Sequence, residues 1–447
     1  MKAQKMIIEP FQDMIINRCN IIKMINQHIK VEFEGIISDK EIQMISTFSG
    51  ETQIVICVFD EEDTRKIVFR GYLEYISINS QGGIHKIFVK GKSATCLLDE
   101  KEKVRTFQNQ KQTYKDIINA ICMKNKKTSV IYMEGKSQKA GELIVQYHET
   151  DWEFFKRMAS HLNTALVPDC SNESICFYFG IPEKMQLKEL DGIECTECFC
   201  NGGSEYIVKS REVHELCEVV SFGDKNLLIY KIESYFEKEE FVHDYYLCSK
   251  GRLKVRRCEN KKIMGASIMG TVLSVKDDLV QVNMFCEEEL SNKNKKWFPY
   301  ASVYSSPDGT GWYCMPEKGD KVRICFPDFE EDHAFVSSAY HCSQDNSLRD
   351  DPDKKFLRTI HNKEVRFTPN NILLTNHQGI SVELDDDKGI SIKSNKSILI
   401  ESETDIKLKS QEQVRIEANE GVLLIQDGNS IVLRNGIRQN GISVRYK

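Results

Sequence analysis

Three closely spaced cysteines offer the most obvious chemistry in this chain. Cys195, Cys198 and Cys200 could share one zinc ion as thiolates, and the 447 residues include 16 cysteines in all. A structural zinc site needs four ligands, and no second close pair and no histidine at ligand spacing completes the set. The pattern therefore favours free thiols, most of them buried. A metal site is the alternative if the fold brings a distant thiol close: Cys170, Cys176 or Cys217.

Paired acidic groups are the second possible source of chemistry. Glu401 lies two residues from Glu403, and His148 lies three residues from Asp151. Paired acids of this kind can serve glycoside hydrolysis. Glu401 and Glu403, however, occupy the polar positions of an alternating strand pattern, where a charge faces water. The chain also lacks a phosphate-binding glycine loop, a His-Glu-x-x-His motif and a Gly-x-Ser-x-Gly motif. We therefore expect no catalytic residue and no cofactor.

The composition is that of a folded protein without a basic surplus. Hydrophobic residues make up 40% and charged residues 29%, and the formal net charge is -6. Nucleic-acid binding needs a concentration of basic residues, so nucleic acid is not an expected partner. The first ten residues lack the apolar core of a secretory signal, and no apolar run reaches the roughly 18 residues that span a bilayer. Scattered single cysteines without such a signal indicate folding and assembly in the reducing cytoplasm.

Residues 1–255 combine short strands with two helices, which predicts an α+β domain. The first helix should begin after Thr113 and the second after Thr150, where Glu153 completes a capping box. The aromatic stripe that starts at Trp152 should be the buried face of the second helix. The expected strands show two-residue alternation or β-branched runs: Ile29–Ile37, Thr52–Phe59, Val68–Ile78, His85–Gly91 and Leu143–Tyr147.

Residues 263–342 have the pattern of a separate all-β domain. Short strands separated by turn residues such as Pro307-Asp308-Gly309 predict a small barrel, with the OB type as the leading candidate. The polar residues 343–361 should form a solvated linker, with a calcium site as the alternative. The expected barrel strands are Gly270–Val275, Leu279–Phe285, Lys321–Phe326 and Ala334–Tyr340.

The tail, residues 362–447, contains an eight-residue repeat. Each repeat has two apolar residues on the same side of a strand, and the small residue that follows them recurs in the same register. The apolar pairs are Ile390/Ile392, Ile398/Ile400, Ile406/Leu408, Val414/Ile416 and Val422/Leu424. The small residues are Ser394, Ser402, Ser410 and Ala418.

Two inward side chains per repeat cannot enclose a hydrophobic core within one chain. A monomeric solenoid would need a longer coil or calcium-binding glycine-aspartate loops, and neither pattern is present. Three chains wound together as a triangular prism would bury the apolar pairs and leave no open strand edge. The tail is therefore predicted to be an intertwined trimeric β-helix, with a monomeric solenoid or an ordinary sandwich as alternatives. Such a prism is stiff along its axis, as a piercing element must be.

Over nearly its whole length the chain resembles the VgrG-type spike proteins of contractile injection systems and contractile phage tails. The most specific motifs lie in the expected barrel: Trp297-Phe-Pro-Tyr-Ala301, Gly311-Trp-Tyr-Cys-Met-Pro316, Gly319-Asp-Lys-Val322 and Phe326-Pro327. Further matches lie in the first domain and at the start of the tail: Gly91–Asp99, Thr106–Asn109, Thr113–Ile118, Tyr147–Arg157 and Lys363–Pro369.

This resemblance implies an assembly. Residues 1–255 would be a hub of two barrel-like modules, so that three chains offer six modules to a hexameric tube. The OB-type barrel would join that hub to the needle, and the homotrimer would be a non-enzymatic spike in the baseplate of an injection particle or virion. Contraction would deliver it outside, with only transient contact to the target membrane. Baseplate proteins and cargo effectors would be further partners. The alternatives are a receptor-binding tail fibre or adhesin and a glycan-degrading tailspike enzyme.

The end of the tail departs from some related spikes. The last histidine is His377, so no His-x-His pair can hold iron at the tip, and residues 342–362 leave too little room for an inserted lysozyme. The resemblance then implies a separate PAAR-like cap. Its expected docking residues are Ile431, Leu433, Ile442 and Val444.

Overall fold

The structure, a computed structural model, separates into two compact units, Met1–Cys342 and Ser343–Lys447. Strands predominate in both units, which confirms the expectation of a mainly β protein. The structure describes residues 5–60, 62–124, 128–182, 184–200, 203–237, 240–286, 294–341 and 348–440.

The first unit is built on a sheet of 12 strands, with smaller elements inserted between its two halves. The first half holds β1 (Lys5–Glu9), β2 (Ile15–Met24), β3 (Lys30–Ile37), β4 (Gln53–Phe59), β5 (Arg65–Gln81) and β6 (Ile84–Lys92). The insertion holds β7 (Lys103–Phe107), β8 (Thr128–Tyr132), β9 (Ile144–Glu149), β10 (Leu166–Asp169) and β11 (Ile175–Phe179). The second half holds β12 (Lys184–Glu189), β13 (Glu194–Cys200), β14 (Gly203–Ser210), β15 (Glu218–Phe222), β16 (Lys225–Glu237) and β17 (Glu240–Cys248).

The two halves form one continuous sheet because β2 pairs with β16. The strand order is β1-β4-β5-β6-β3-β2-β16-β17-β14-β13, and β15 connects β12 to β16. In β3, Val31 and Phe33 are buried while Glu32 and Glu34 are exposed, as expected for a half-buried strand. Each half has its own hydrophobic core, which contains Phe33 in the first half and Tyr245 in the second.

The described part of the first unit contains three α-helices: α1 (Asp39–Ile45), α2 (Tyr114–Cys122) and α3 (Asp151–His161). α2 begins after Thr113 and α3 after Thr150, each with both hydrogen bonds of a capping box, which confirms the two predicted helix starts. The stripe that begins at Trp152 is buried, also as predicted. α1 was not predicted, although Ser38 and Glu41 form the same capping box and are recognisable in the sequence.

The first unit ends in the predicted small barrel. Its strands are β18 (Ser267–Lys276), β19 (Leu279–Met284), β20 (Trp297–Pro299), β21 (Lys321–Cys325) and β22 (Phe335–Tyr340). The order is β20-β19-β18-β21-β22, and a parallel bridge between Tyr300 and Val336 joins the two edges. Gly270 of β18 permits a close approach, because a Cβ atom there would lie 2.4 Å from Val282 Cγ1. The four predicted strands are present, and β20 adds a fifth.

The described part of the second unit contains two antiparallel meanders, with residues 394–421 between them in the chain. The first meander holds β23 (Lys355–Arg358), β24 (Glu364–Phe367), β25 (Asn371–Thr375), β26 (Ser381–Asp385) and β27 (Gly389–Lys393). The second holds β28 (Val422–Gln426), β29 (Asn429–Leu433) and β30 (Ile437–Asn440). In both meanders, consecutive strands pair with each other.

This arrangement differs from the expected tail in two respects. β23 lies inside residues 343–361, which were expected to be a linker. The first and last repeats lie in β27 and β28, where they pair with hairpin neighbours instead of continuing a coil. The cause at the second hairpin is local: Asp427 and Gly428 both have positive φ, at 41° and 80°, and form a two-residue reversal. Residues 394–421 lie between the two meanders and form no strand pair in the structure.

Candidate functional site

The segment 394–421 bends once every eight residues, at 395–396, 403–404, 411–412 and 419–420. At the first three bends a serine hydroxyl accepts a hydrogen bond from the backbone N–H two residues ahead, a local contact that stabilises turns. The pairs are Ser394 with Lys396 at 3.0 Å, Ser402 with Thr404 at 3.2 Å and Ser410 with Glu412 at 3.2 Å. The repeat is therefore a recurring turn geometry as well as a hydrophobic pattern.

The segments between these bends have no partner strand within the described part of the chain. Their backbone N–H and C=O groups therefore face water or another molecule. The ten side chains predicted as needle core are also uncovered: nine are 54% to 74% exposed and Val422 is half-buried. They are Ile390, Ile392, Ile398, Ile400, Ile406, Leu408, Val414, Ile416, Val422 and Leu424. Exposed side chains of this kind, in register, mark an interaction surface.

The first meander continues the same arrangement on one of its faces, which we term the apolar base face. Strand register places its side chains in two columns across the sheet. One column is Leu357, Val365, Leu374, Val382 and Ile392, and the other is Phe367, Ile372, Leu384 and Ile390. Each strand from β24 to β27 thus supplies two apolar side chains, as each repeat does, and the columns end at the first repeat.

The opposite face of this meander is charged. Glu364 is buried there, with its Oε2 atom 2.6 Å from His377 Nε2 and 3.6 Å from Arg358 Nη1. Hydrogen bonding to Arg366, and then to His377, holds the pKa of Glu364 below its usual value despite the opposing effect of desolvation. The charged groups on this face pair with one another. The apolar base face is therefore the face that is available to pack against other apolar surface.

The second meander carries the predicted tip-docking residues Ile431 and Leu433. Strand register places Ile431 opposite Leu424 and Leu433 opposite Val422, so both lie on the same face as the last predicted core pair. Their role in binding a tip cap stays a prediction. The opposite face is apolar too, with Leu423, Ile425 and Val432. The other two predicted docking residues, Ile442 and Val444, lie outside the described residues.

A buried ion cluster joins the barrel to the rest of the first unit. Arg157 of α3 donates from Nε to Glu149 Oε1 at 2.9 Å and from Nη1 to Glu331 Oε1 at 3.0 Å, and all three side chains are at most 10% exposed. Glu331 belongs to the barrel, just before β22. Burial raises the pKa of Glu331, and the charge of Arg157 offsets part of that rise. The arginine therefore stabilises two carboxylates that would otherwise be poorly solvated.

Apolar packing and further hydrogen bonds reinforce this junction. Leu143 and Val145, next to and within β9, share one hydrophobic core with barrel residues such as Phe298. Gln108 Nε2 donates to the carbonyl of Val282 in β19 at 3.0 Å. The Nζ atom of Lys296 lies 3.2 Å from Glu142 Oε2 and 3.0 Å from Asp332 Oδ1. The barrel and the preceding α/β elements are thus packed as one body.

Comparisons with known proteins agree with this architecture. Residues 268–341 match the family described as the type VI secretion system/phage-baseplate injector OB domain. The Escherichia coli protein c3393, described as a type VI secretion component with structural similarity to the T4 bacteriophage tail proteins gp27 and gp5, has a similar fold. The two sequences are 14% identical and the TM-score is 0.55. The match covers 75% of this chain and 100% of the E. coli chain. The chain resembles VgrG-type spike proteins.

Two structures of a PdpA–VgrG complex support the same fold. The half-lidded Francisella complex is 9% identical with a TM-score of 0.55, covering 86% of this chain and 84% of the other. The lidless complex is 10% identical with a TM-score of 0.55, covering 86% and 94%. No curated protein sequence gives a significant match. In the described part of this VgrG-like chain, no helix has the length and apolarity to cross a membrane.

The cysteine cluster of the VgrG-like chain lies on the edge strand β13. Cys195 and Cys198 are three residues apart on this strand, so their side chains point to opposite faces. The side chain of Cys200 lies outside the description. Among the described residues, no three His, Cys, Asp or Glu side chains are placed to hold a metal. The distant thiols considered as further ligands are all buried: Cys170, Cys176 and Cys217.

The structure does not bring His148 and Asp151 together as an acid and a base. Asp151 is buried and pairs with Arg105 and with Lys103, whose Nζ lies 2.7 Å from Oδ2. Burial opposes its ionisation, but these hydrogen bonds and charges keep the pKa of Asp151 below its usual value. The side chain of His148 is exposed, and its Nδ1 atom lies 3.6 Å from Glu102 Oε2. Asp151 is therefore a structural ion-pair partner.

The first unit contains a Thr-His-Asp chain that was not predicted from the sequence. His28 Nδ1 lies 2.8 Å from Thr95 Oγ1, and His28 Nε2 lies 2.7 Å from Asp99 Oδ2. This is the connectivity of a catalytic triad. Thr95, however, is fully buried, so its hydroxyl cannot reach a substrate. Because these residues are 67 and 71 positions from His28, no local pattern could have revealed the contact.

Proposed function

We propose that this chain is the homotrimeric hub and spike of a contractile injection machine, linking a hexameric tube to a membrane-piercing tip. The observation that carries the proposal is the pair of apolar columns in the second unit. Those columns end at the first repeat, and exposed apolar side chains recur through the repeats and in the second meander of the single chain. The match of the barrel to the injector OB family and the VgrG-like fold support the same reading.

Three copies would solve the two problems that a single tail chain leaves open. Between the bends, residues 394–421 need partner strands for their backbone groups as well as cover for their side chains. Chains wound side by side supply both, since each chain contributes one side of a prism with its two apolar residues per repeat facing the axis. Burial of an isoleucine or leucine contributes about 1.5–3 kcal/mol, so the repeats add up to a strong driving force for association.

The proposed machine also sets the expected partners and location. The hub would bind the tube protein and baseplate proteins, a PAAR-like cap would bind the tip, and cargo effectors would travel with the spike. The chain would be assembled in the cytoplasm, reside in the injection particle or virion baseplate, and leave on contraction with transient contact to the target membrane. Its role would be mechanical, without catalysis or cofactor, and nucleic acid would not be a partner.

The oligomeric mass of the full chain, measured by light scattering during size-exclusion chromatography, tests this proposal. We expect three chain masses for the wild type. Ile400→Asp places a carboxylate in the proposed core, where burial of an unpaired charge costs free energy. It should convert the trimer to monomers or to nonspecific aggregates. Leu399→Asp is the matched control, because Leu399 is the neighbouring residue on the opposite side of the same strand and is 82% exposed.

The outcomes separate the possible interpretations. A monomeric wild type would refute the homotrimer and favour an adhesin or another monomeric role. A trimer that survives both substitutions would show that the apolar columns are not the interface. A trimer lost in Ile400→Asp and kept in Leu399→Asp would support the proposed needle and its inward face.

A further inference from the structure

The OB barrel exposes an unusual group of large apolar side chains on the connection between β20 and β21. We term residues 300–316 the aromatic loop. Val303 is 95% exposed, and the other members are also largely open to solvent: Tyr304, Trp312 and Tyr313. Exposed aromatics at this density are typical of contact surfaces, where they supply large area at low cost in side-chain entropy.

The aromatic loop is held in a defined shape. Ser305 and Gly311 form an antiparallel bridge, and the Trp312 N–H donates to the carbonyl of Tyr304 at 2.8 Å. The hydroxyl of Tyr313 donates to the carbonyl of Asp277, in the turn between β18 and β19, at 2.9 Å. The exposed rings are thus presented on a fixed frame, which lowers the entropy lost on binding.

A second exposed surface lies at the other end of the β18–β19 hairpin, and we term it the cationic face. Lys321 Nζ lies 4.8 Å from the centre of the Phe285 ring, and the Arg323 guanidinium lies 5.9 Å from that of Tyr340. The Tyr340 hydroxyl contacts the sulfur of Met269 at 3.1 Å. Phe285 is 54% exposed, so this face combines positive charge with uncovered apolar surface.

The two surfaces are complementary in charge but cannot meet within one chain. The aromatic loop lies beside Asp277 and Asp278 and contains Asp308. These three acidic residues outnumber the single lysine at the same turn, Lys276. Met269 precedes Asp277 by eight residues on an extended hairpin, which separates the two ends by roughly 26 Å. Aromatic rings and carboxylates at one end therefore match cations and a methionine at the other end of a second copy.

We propose that the aromatic loop of one chain docks on the cationic face of the OB barrel of the next chain. A contact between two different surfaces of one domain is heterologous, and it closes into a ring when a rotation axis relates the copies. This inference rests on the proposed homotrimer, whose threefold axis would close the ring after three contacts. It assigns the barrels a second inter-chain interface, separate from the apolar columns of the tail.

Photocrosslinking in the full chain identifies what the loop contacts. The photoreactive amino acid p-benzoylphenylalanine in place of Trp312 should give, after irradiation, a covalent product of two chains. Mass spectrometry should locate the partner peptide in residues 267–285 or 321–340. The same amino acid in place of Tyr304 provides a second position on the loop. Replacement of Met123, an 83% exposed residue in the hub, is the control and should capture neither peptide.

Charge reversal tests the chemistry of the contact. Arg323→Glu should lower the yield of the two-chain product about tenfold, because it removes a cation and opposes the loop carboxylates. Lys318→Glu, an equal reversal at an exposed lysine outside the cationic face, should leave the yield unchanged. The oligomeric mass is measured on the same samples.

The combined readouts distinguish this inference from the proposed function. A trimer whose loop crosslinks to the cationic face supports both. A trimer whose loop captures another element, a different protein or nothing overturns the docking inference and leaves the spike intact. A monomeric wild type removes the proposed function, and the docking inference falls with it.

Discussion

Replacing Arg157 with methionine should weaken the first unit more than any surface substitution. The arginine is the shared counter-charge for Glu149 in β9 and Glu331 in the barrel, at 2.9 and 3.0 Å. Methionine fills much of the same volume but leaves both buried carboxylates without a partner. Breaking a buried ion pair in this way costs about 3–5 kcal/mol, because an uncompensated charge is left in a poorly solvated site.

Two control variants calibrate this effect. Glu331→Gln keeps an acceptor for Arg157 and removes a carboxylate that burial already disfavours, so its cost should be about 1 kcal/mol or less. Lys209→Met removes a surface pair in which Lys209 Nζ lies 3.2 Å from Glu194, and exposed pairs of this kind contribute only about 0–1 kcal/mol. The expected order of destabilisation is therefore Arg157→Met well above both controls.

Tryptophan fluorescence during heating at neutral pH provides the assay. Trp152 reports on α3, whereas Trp297 and Trp312 report on the barrel, so one signal samples both sides of the junction. At about 2 °C per kcal/mol for a unit of this size, Arg157→Met should lower the melting temperature by about 6–10 °C. The reasoning is refuted if Arg157→Met melts within about 2 °C of Lys209→Met.

Three further predictions concern the tail, the first unit and metal. Ser402→Ala should lower the thermal stability of the tail by about 0.5–1.5 kcal/mol per chain, since it removes a turn hydrogen bond; an unchanged melting curve would show that the hydroxyls do not hold the bends. Burial holds the pKa of His243 at about 3, so the stability from its neutral ring is present above about pH 6.5 and is lost as the pH falls towards 3, at up to about 1.4 kcal/mol per pH unit. His243→Phe should therefore flatten the pH dependence of the urea midpoint between pH 6.5 and 4.5, and parallel curves would contradict this assignment. EDTA should leave the melting temperature unchanged. A lower melting temperature in EDTA would support the alternative of a metal site at Cys195.

Local patterns allowed the secondary structure to be predicted well. Both helix starts, after Thr113 and after Thr150, were predicted correctly, and at Thr150 the signal was a capping box whose hydrogen bonds span only three positions. The barrel strands were predicted because alternation and turn residues are also local. The same capping signal at Ser38 preceded α1 and was overlooked.

The tail shows what periodicity alone does not predict. The repeat at Val422 has the correct eight-residue spacing, yet Asp427 and Gly428 reverse the chain after it, and an Asp-Gly pair is a strong hairpin signal. The columns of the apolar base face were missed for a related reason. Their members, such as Val365 and Leu374, are opposite each other across antiparallel strands. The number of residues between two such partners depends on their distance from the turn, so the sequence shows no constant period.

Contacts between distant residues could not be predicted from one sequence. Arg157 and Glu331 are 174 positions apart, and neither residue type nor spacing connects them. The same holds for the two surfaces of the barrel, since exposure of Trp312 and the placement of Arg323 follow only from the folded strands. Charged residues are usually exposed and large aromatic residues are usually buried. Only the fold shows which individual residues are exceptions to this rule.

The two units meet the need to bury apolar surface in opposite ways. The first unit encloses its cores within one chain, and the ion cluster at Arg157 joins the barrel to the α/β elements without a break in the packing. The second unit leaves its apolar columns uncovered and its extended backbone without partner strands in the described chain. The stability of the first unit should therefore be a property of the single chain, whereas in the proposed homotrimer that of the second would depend on association and hence on concentration. Under the same proposal, the first unit could fold before the tail assembles, which would keep exposed apolar strands from being the first structure to form.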